Sequence, residues 1–156
     1  MRYNKEKAMG RVLALDIGER RIGVAVSDET GILAQPLAVI QRQSAARDAE
    51  RVAQLAREHG AETVVVGLPI TLRGEQAQAA EKVQAFVSQL RNVLELPIVL
   101  TDERLSTVEA DRRMREADVR RGERRQSVDA VAAALILERY LSRRLAGTHG
   151  SEENIP

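Results

Sequence analysis

Before residue 41 the chain carries three apolar runs separated by only a few residues each, and from residue 44 onward the apolar spacing lengthens to that of a helix. This switch of period limits the fold more than any single motif. Residues 11–17 form the first run, Gly18-Glu19-Arg20 is turn-compatible, and residues 21–27 alternate through Ile22, Val24 and Val26. A third run, residues 32–40, follows Gly31. Period-two alternation reads as strand. Connections this short favour an antiparallel meander, because parallel neighbours need a crossover of about a dozen residues.

From residue 44 to 58, Ala45, Ala49, Val52, Ala53 and Ala56 recur at helical spacing, and His59-Gly60 reads as the C-cap. Residues 63–66 form a β-branched run, read as a strand buried on both faces. Gly67-Leu68-Pro69 is expected to end it, since proline cannot donate to a ladder. Beyond Gly74, the residues Ala79, Ala80, Val83, Phe86, Val87 and Leu90 mark a second helix, and Pro97 precedes a short strand over 98–101. Ser106-Thr107-Val108-Glu109 fits a capping box that opens a helix reaching Ala117. After an arginine-rich joint, Val128, Val131, Ala132, Leu135, Tyr140 and Leu141 outline a long terminal helix. Strands separated by helices should run parallel beside the meander. The expected fold is therefore α/β, a mixed five-stranded sheet of a three-strand antiparallel meander plus parallel strands, flanked by helices on both faces. Residues 1–146 are read as one domain and 147–156 as a disordered tail.

The apolar fraction of 44% and the charged fraction of 30% suit a soluble globular chain. Tyr3, Phe86 and Tyr140 are the aromatic residues, so the core must rest on Val, Leu, Ile and Ala. The formal net charge of +1 provides no global pull towards nucleic acid or acidic lipid. The absence of cysteine excludes disulfides, zinc–thiolate sites and thiol nucleophiles. No apolar run approaches the roughly 20 residues that span a bilayer, and the first eleven residues lack a signal-peptide core. A cytoplasmic protein without a membrane partner is expected.

Against that background Asp16 is anomalous, because it sits among Leu13, Leu15 and Ile17. Removing water from an ionised carboxylate costs several kcal/mol unless a partner or metal replaces it. Other acids fall at element ends: Asp102 and Glu103 follow the last short strand, and Asp129 lies in the expected first turn of the terminal helix. If the first and fourth strands are parallel neighbours, Asp16 and the Asp102-Glu103 pair emerge at one end and Asp129 reaches them from the side. Carboxylates so gathered repel in a low dielectric unless cations neutralise them. Oxygen-only ligands select Mg²⁺ or Mn²⁺, and two such ions about 4 Å apart can clamp a phosphodiester. Competing readings make Asp16 a turn residue, Asp129 a helix-dipole partner and Ser106 a helix cap. His59 and His149 have no partner at ligand spacing.

The motifs resemble those of the YqgF/RuvX family, whose members are described as pre-16S rRNA nucleases and Holliday junction resolvases and share the RNase H-like fold. Asp16, Gly18, Gly23, Val24 and Ala25 match its opening motif; Gly67-Leu68-Pro69 the second; Asp102-Glu103-Arg104-Leu105-Ser106-Thr107 the third; and Asp129, Ala132 and Ala133 the last. The resemblance implies metal-dependent phosphodiester hydrolysis with Asp16, Glu103 and Asp129 as the acidic triad and Asp102 as an auxiliary ligand or supporting group. Adjacent residues point apart, so either Asp102 or Glu103 could face the metals, and Glu103 is preferred for its longer arm. Members often carry Asn and an acidic residue after Gly-Leu-Pro, whereas this chain reads Ile70-Thr71-Leu72-Arg73-Gly74, which makes Arg73 a phosphate contact rather than a ligand neighbour.

Residues 111–125 hold seven arginines, at 112, 113, 115, 120, 121, 124 and 125, against four acids, a local surplus of three positive charges. Guanidinium groups bind phosphate bidentately. Arg104, Arg112, Arg120, Arg121, Arg124 and Arg125 are accordingly read as nucleic-acid contacts, and Arg2, Lys5, Lys7 and Arg11 as a second basic patch. Gly18, Gly23 and Gly67 are read as turns that let backbone approach the substrate. The expected partner is an rRNA precursor or branched DNA, gripped by its backbone because aromatics for base stacking are scarce. Resolving a four-way junction would suit a two-fold homodimer, whereas trimming precursor rRNA needs only a monomer. The rival functions are a nucleotide-binding relative of actin-like ATPases and a noncatalytic RNA-binding assembly factor.

Overall fold

A computed structural model describes residues 10–69, 74–103 and 124–147. Its elements run β1 (Arg11–Ile17), β2 (Arg21–Ser27), β3 (Ala34–Gln41), α1 (Ala45–Glu58), β4 (Ala61–Pro69), α2 (Gly74–Val93), β5 (Ile98–Glu103) and α3 (Arg124–Leu145). One five-stranded sheet has the order β3-β2-β1-β4-β5. The meander is antiparallel, and β4 and β5 join it parallel to β1. This is the mixed sheet expected from the switch of period.

Strand alternation divides the core between two faces. Leu13, Leu15, Ile22, Val24, Val64 and Val66 pack with Val52 and Ala56 of α1 and with Val83, Phe86 and Leu90 of α2. Val12, Ala14, Ala25 and Val65 pack instead with Ala133, Ile136, Leu137, Tyr140 and Leu141 of α3. Helix α1 starts where the sequence indicates: the Ser44 hydroxyl accepts from Arg47 N–H at 3.2 Å. It ends at His59, with Gly60 at φ +64°, a left-handed conformation that glycine adopts without Cβ strain.

Several boundaries move. Strand β3 begins at Ala34, leaving Ile32 and Leu33 exposed, because the Asp28 carboxylate accepts from both of their backbone N–H groups and folds the segment into a turn. Strand β4 runs on through Gly67-Leu68-Pro69, so Gly67 is a strand residue, not a turn. Its register with β1 ends at Leu15↔Val66, while its pairing with β5 continues to Pro69↔Glu103. Proline is tolerated where a strand has become an edge. Strand β5 likewise includes Asp102 and Glu103, and α3 begins at Arg124, which puts Asp129 in its second turn with no acid in its first. The helix expected from Ser106, most of the arginine-rich joint and the tail beyond Gly147 lie outside the described residues. No described helix is long and apolar enough to cross a membrane.

Candidate active site

Strands β1 and β5 both run parallel to β4, so their C-terminal ends share one edge of the sheet. Asp16 lies there, half-buried, one residue before β1 ends, on the face of Val12 and Ala14 that α3 covers. Its Cα partner across the antiparallel ladder is Gly23. A Cβ built on Gly23 would stand 1.9 Å from the Asp129 carbonyl oxygen and 2.4 Å from its carbonyl carbon. The backbone of α3 therefore rests on the bare Cα of Gly23, directly beside Asp16, and only glycine leaves it room. The expectation that Gly23 is a turn open to substrate is corrected: it is a strand residue whose space is filled by the protein's own helix. Gly18, by contrast, is the exposed turn residue expected, and an added Cβ there would meet only the Arg21 carbonyl of its own turn, at 3.0 Å.

The Asp129 carboxylate is fixed by a residue the sequence reading passed over. Arg21 Nε donates to Asp129 Oδ2 at 2.6 Å, and about a quarter of each side chain is exposed. Arg21 stands two residues before Gly23 on β2, hence on the same face. The seat and the clamp of Asp129 thus come from one strand, at i and i+2, a spacing that could have flagged Arg21. The intervening turn is braced from the other side. Gly18 N donates to Arg21 O at 2.9 Å, and Arg42 Nη1 donates to Gly18 O at 3.0 Å. The Arg42 guanidinium stands 5.4 Å from the Phe86 ring centroid, and its Nε bonds the buried Asp48 at 3.1 Å.

The two adjacent acids of β5 part. Asp102 is exposed and shares strand parity with Ile98 and Leu100, which belong to the α1 and α2 side of the sheet. Position 103 has the opposite parity, that of Val99, which packs on the α3 side. The register therefore aligns position 103, not Asp102, with the face of Asp16 and Asp129. Among the described residues no three acidic or histidine side chains form a metal-binding group. Asp16 and Asp129 nevertheless have the donor chemistry of a hard-cation site, since both offer carboxylate oxygens and each carboxylate has more than one acceptor position, of which Arg21 Nε takes Oδ2 of Asp129.

Of the proposed nucleic-acid contacts, Arg73, Arg104, Arg112, Arg120 and Arg121 lie outside the described residues, as do Arg2, Lys5 and Lys7. Arg124 and Arg125 open α3 instead of lying in a joint. Arg11 stands at the far end of β1 from Asp16, bonded to the Ser27 carbonyl and 3.6 Å from Glu29. Its place separates it from the carboxylate edge.

Residues 10–143 match the model of the RuvX Holliday junction resolvase family. The chain belongs to the RuvX family. Curated relatives include proteins provisionally named pre-16S rRNA nucleases. One from Desulforudis audaxviator is 44% identical over 137 residues, covering 88% of this chain and 97% of its own. Another, from Symbiobacterium thermophilum, is 46% identical over 136 residues, with 87% and 94% covered. Among solved structures, Thermus thermophilus RuvC in complex with a Holliday junction substrate aligns with TM-score 0.58 at 19% identity, over 89% of this chain and 97% of that one. The fowlpox virus resolvase bound to junction DNA gives 0.54 at 11% identity, over 86% and 99%. At these identities the likeness is one of fold, and it places this RuvX chain in the RNase H-like class that its motifs resemble.

Proposed function

We propose that this RuvX protein is a divalent-cation-dependent nuclease of the cytoplasm that hydrolyses phosphodiester bonds at the 5′ end of precursor 16S rRNA. Family membership and the names of its relatives support the class of reaction and of substrate. The observation that carries the reading is the seating of Asp129 on Gly23, the ladder partner of Asp16. It unites two acids 113 positions apart in the chain.

Each residue has a role in this reading. Asp16 presents its carboxylate from a rigid central strand. Asp129 presents a second from a helix that Gly23 holds in place, and Arg21 keeps that carboxylate from rotating. Glu103 is the third acid and Asp102 its outward-facing neighbour. Mg²⁺ or Mn²⁺ bound by these oxygens would supply Lewis-acid stabilisation of the charge that gathers on the phosphate during in-line displacement. The products carry 5′-phosphate ends.

The test is cleavage of a labelled precursor-rRNA fragment by purified protein, with a four-way DNA junction in parallel. Asp16→Asn should slow cleavage by more than about a hundredfold while substrate binding persists. Retained turnover in that variant defeats the proposal, and cleavage of the junction alone would move the substrate from RNA to DNA.

A further inference from the structure

The turn that follows Asp16 has a second side. There, Ile17, Gly18, Glu19, Arg20, Arg42 and Lys82 line an open cleft of about 910 Å³ between the β1–β2 turn and α2. It lies at the same end of β1 as Asp16, on the α2 side of the turn and not the α3 side: Gly18 is two residues past Asp16, about 7 Å of extended chain.

The cations in this cleft are of two kinds. Arg42 is committed, because buried Asp48 holds its Nε and the Gly18 carbonyl its Nη1, so it forms a fixed wall whose charge Asp48 offsets. Arg20 is exposed, and among the described residues no carboxylate pairs with it. Lys82 is exposed and meets Glu19 loosely, at 3.6 Å, with 63% and 82% of the two side chains open to solvent. A pair that exposed contributes about 1 kcal/mol or less, so a phosphate can compete for the lysine.

Resting on the nuclease reading above, we propose that this cleft seats the sugar–phosphate backbone of the substrate strand next to the scissile bond, with Arg20 and Lys82 as its phosphate contacts. Its position on the turn after Asp16 sets it at the same end of the sheet as the carboxylates, within reach of one strand that passes over the turn, and its exposed cations suit a polyanion better than a small rigid ligand. Two phosphate contacts at one rim and the acids at the other would fix which bond of the strand meets Asp16. Contacts of this kind position a strand without reading its bases.

The experiment measures binding apart from cleavage. Fluorescence anisotropy with labelled precursor RNA and with a four-way DNA junction, on the full chain carrying Asp16→Asn, gives Kd between 50 and 300 mM salt. Adding Arg20→Glu and Lys82→Glu should weaken binding roughly tenfold and lower the slope of log K against log salt by about 0.7 to 0.9 per lost contact. Arg57→Glu, the same charge change as either cleft substitution alone but on an exposed turn of α1 outside the cleft, should shift Kd by less than about twofold. Glu19→Gln, which releases Lys82, should tighten binding by about two- to fourfold, a gain that misfolding cannot imitate. Equal effects of the cleft and Arg57 variants on both substrates, or no tightening by Glu19→Gln, would overturn the assignment. Cleavage by the Asp16→Asn chain would defeat the nuclease reading and leave the binding result intact.

Discussion

Towards the carboxylate edge the two faces of the sheet are built from side chains of different size. On one, Leu13, Leu15, Ile22 and Val24 meet Phe86, Leu90 and the aliphatic stripe of α1, all buried. On the other, Ala14, Gly23 and Ala25 lie beneath α3, whose own contacts begin with small residues such as Ala130 and Ala133. Large residues hold helices away from a sheet and bury much apolar surface. Small ones let a helix backbone descend onto the strands. The difference separates packing from positioning: large residues fill the first face throughout, whereas the second, anchored further along α3 by Ile136, Leu137 and Leu141, uses its small residues to bring the backbone of Asp129 against β2 beside Asp16.

Substitutions on the two faces should therefore fail in different ways. Phe86→Ala on the large-residue face should cost about 3–5 kcal/mol of unfolding free energy in denaturant titration, while the protein that remains folded still cleaves. Loss of cleavage in the folded fraction would erase the division. Gly23→Ala on the small-residue face should cost a comparable amount, about 3 kcal/mol, because the methyl group meets the backbone of α3 and the helix must lift to admit it. Lifting α3 carries Asp129 with it, so cleavage should fall by more than the loss of folded protein explains. Normal kinetics in a folded Gly23→Ala protein would show that the seat does not position the acid.

Arg21→Met tests the clamp alone. Stability should drop by about 1 kcal/mol, as for a partly exposed ion pair, and cleavage by about ten- to a hundredfold, with partial recovery in Arg21→Lys. The smallest effect belongs to the far end of the sheet. Bonds from the Thr30 hydroxyl and from the Leu33 and Ile32 N–H groups favour ionised Asp28 and lower its pKa from 3.8 to about 2. A carboxyl with a depressed folded-state pKa adds stability that is present above about pH 4 and is lost as pH falls towards 2. Asp28→Asn should remove that component of acid unfolding and leave cleavage at neutral pH unchanged, since β2 ends here on the edge opposite Asp16.

Much of this was legible along the chain because it is local. Period-two spacing located the meander and helical spacing the helices, short apolar runs bounded by Gly67-Leu68-Pro69 and Pro97 located β4 and β5, Ser44 and Gly60 marked the ends of α1, and a carboxylate inside an aliphatic run singled out Asp16. Boundaries slipped where a long-range partner decided them. Pro69 extends β4 because β5 continues beside it, and Ile32 leaves β3 because Asp28 captures its N–H.

The amino-acid sequence by itself determined the mixed α/β sheet, the order of its elements and the candidacy of Asp16 and Asp129, since hydrophobic period and the cost of a buried charge are properties of neighbouring residues. Only the tertiary structure decided that Gly23 is a seat for α3, that Arg21 clamps an acid 108 positions away, and that Asp102 lies on the face opposite Asp16. Those facts depend on which backbones approach one another through space, and spacing along a chain does not encode that distance.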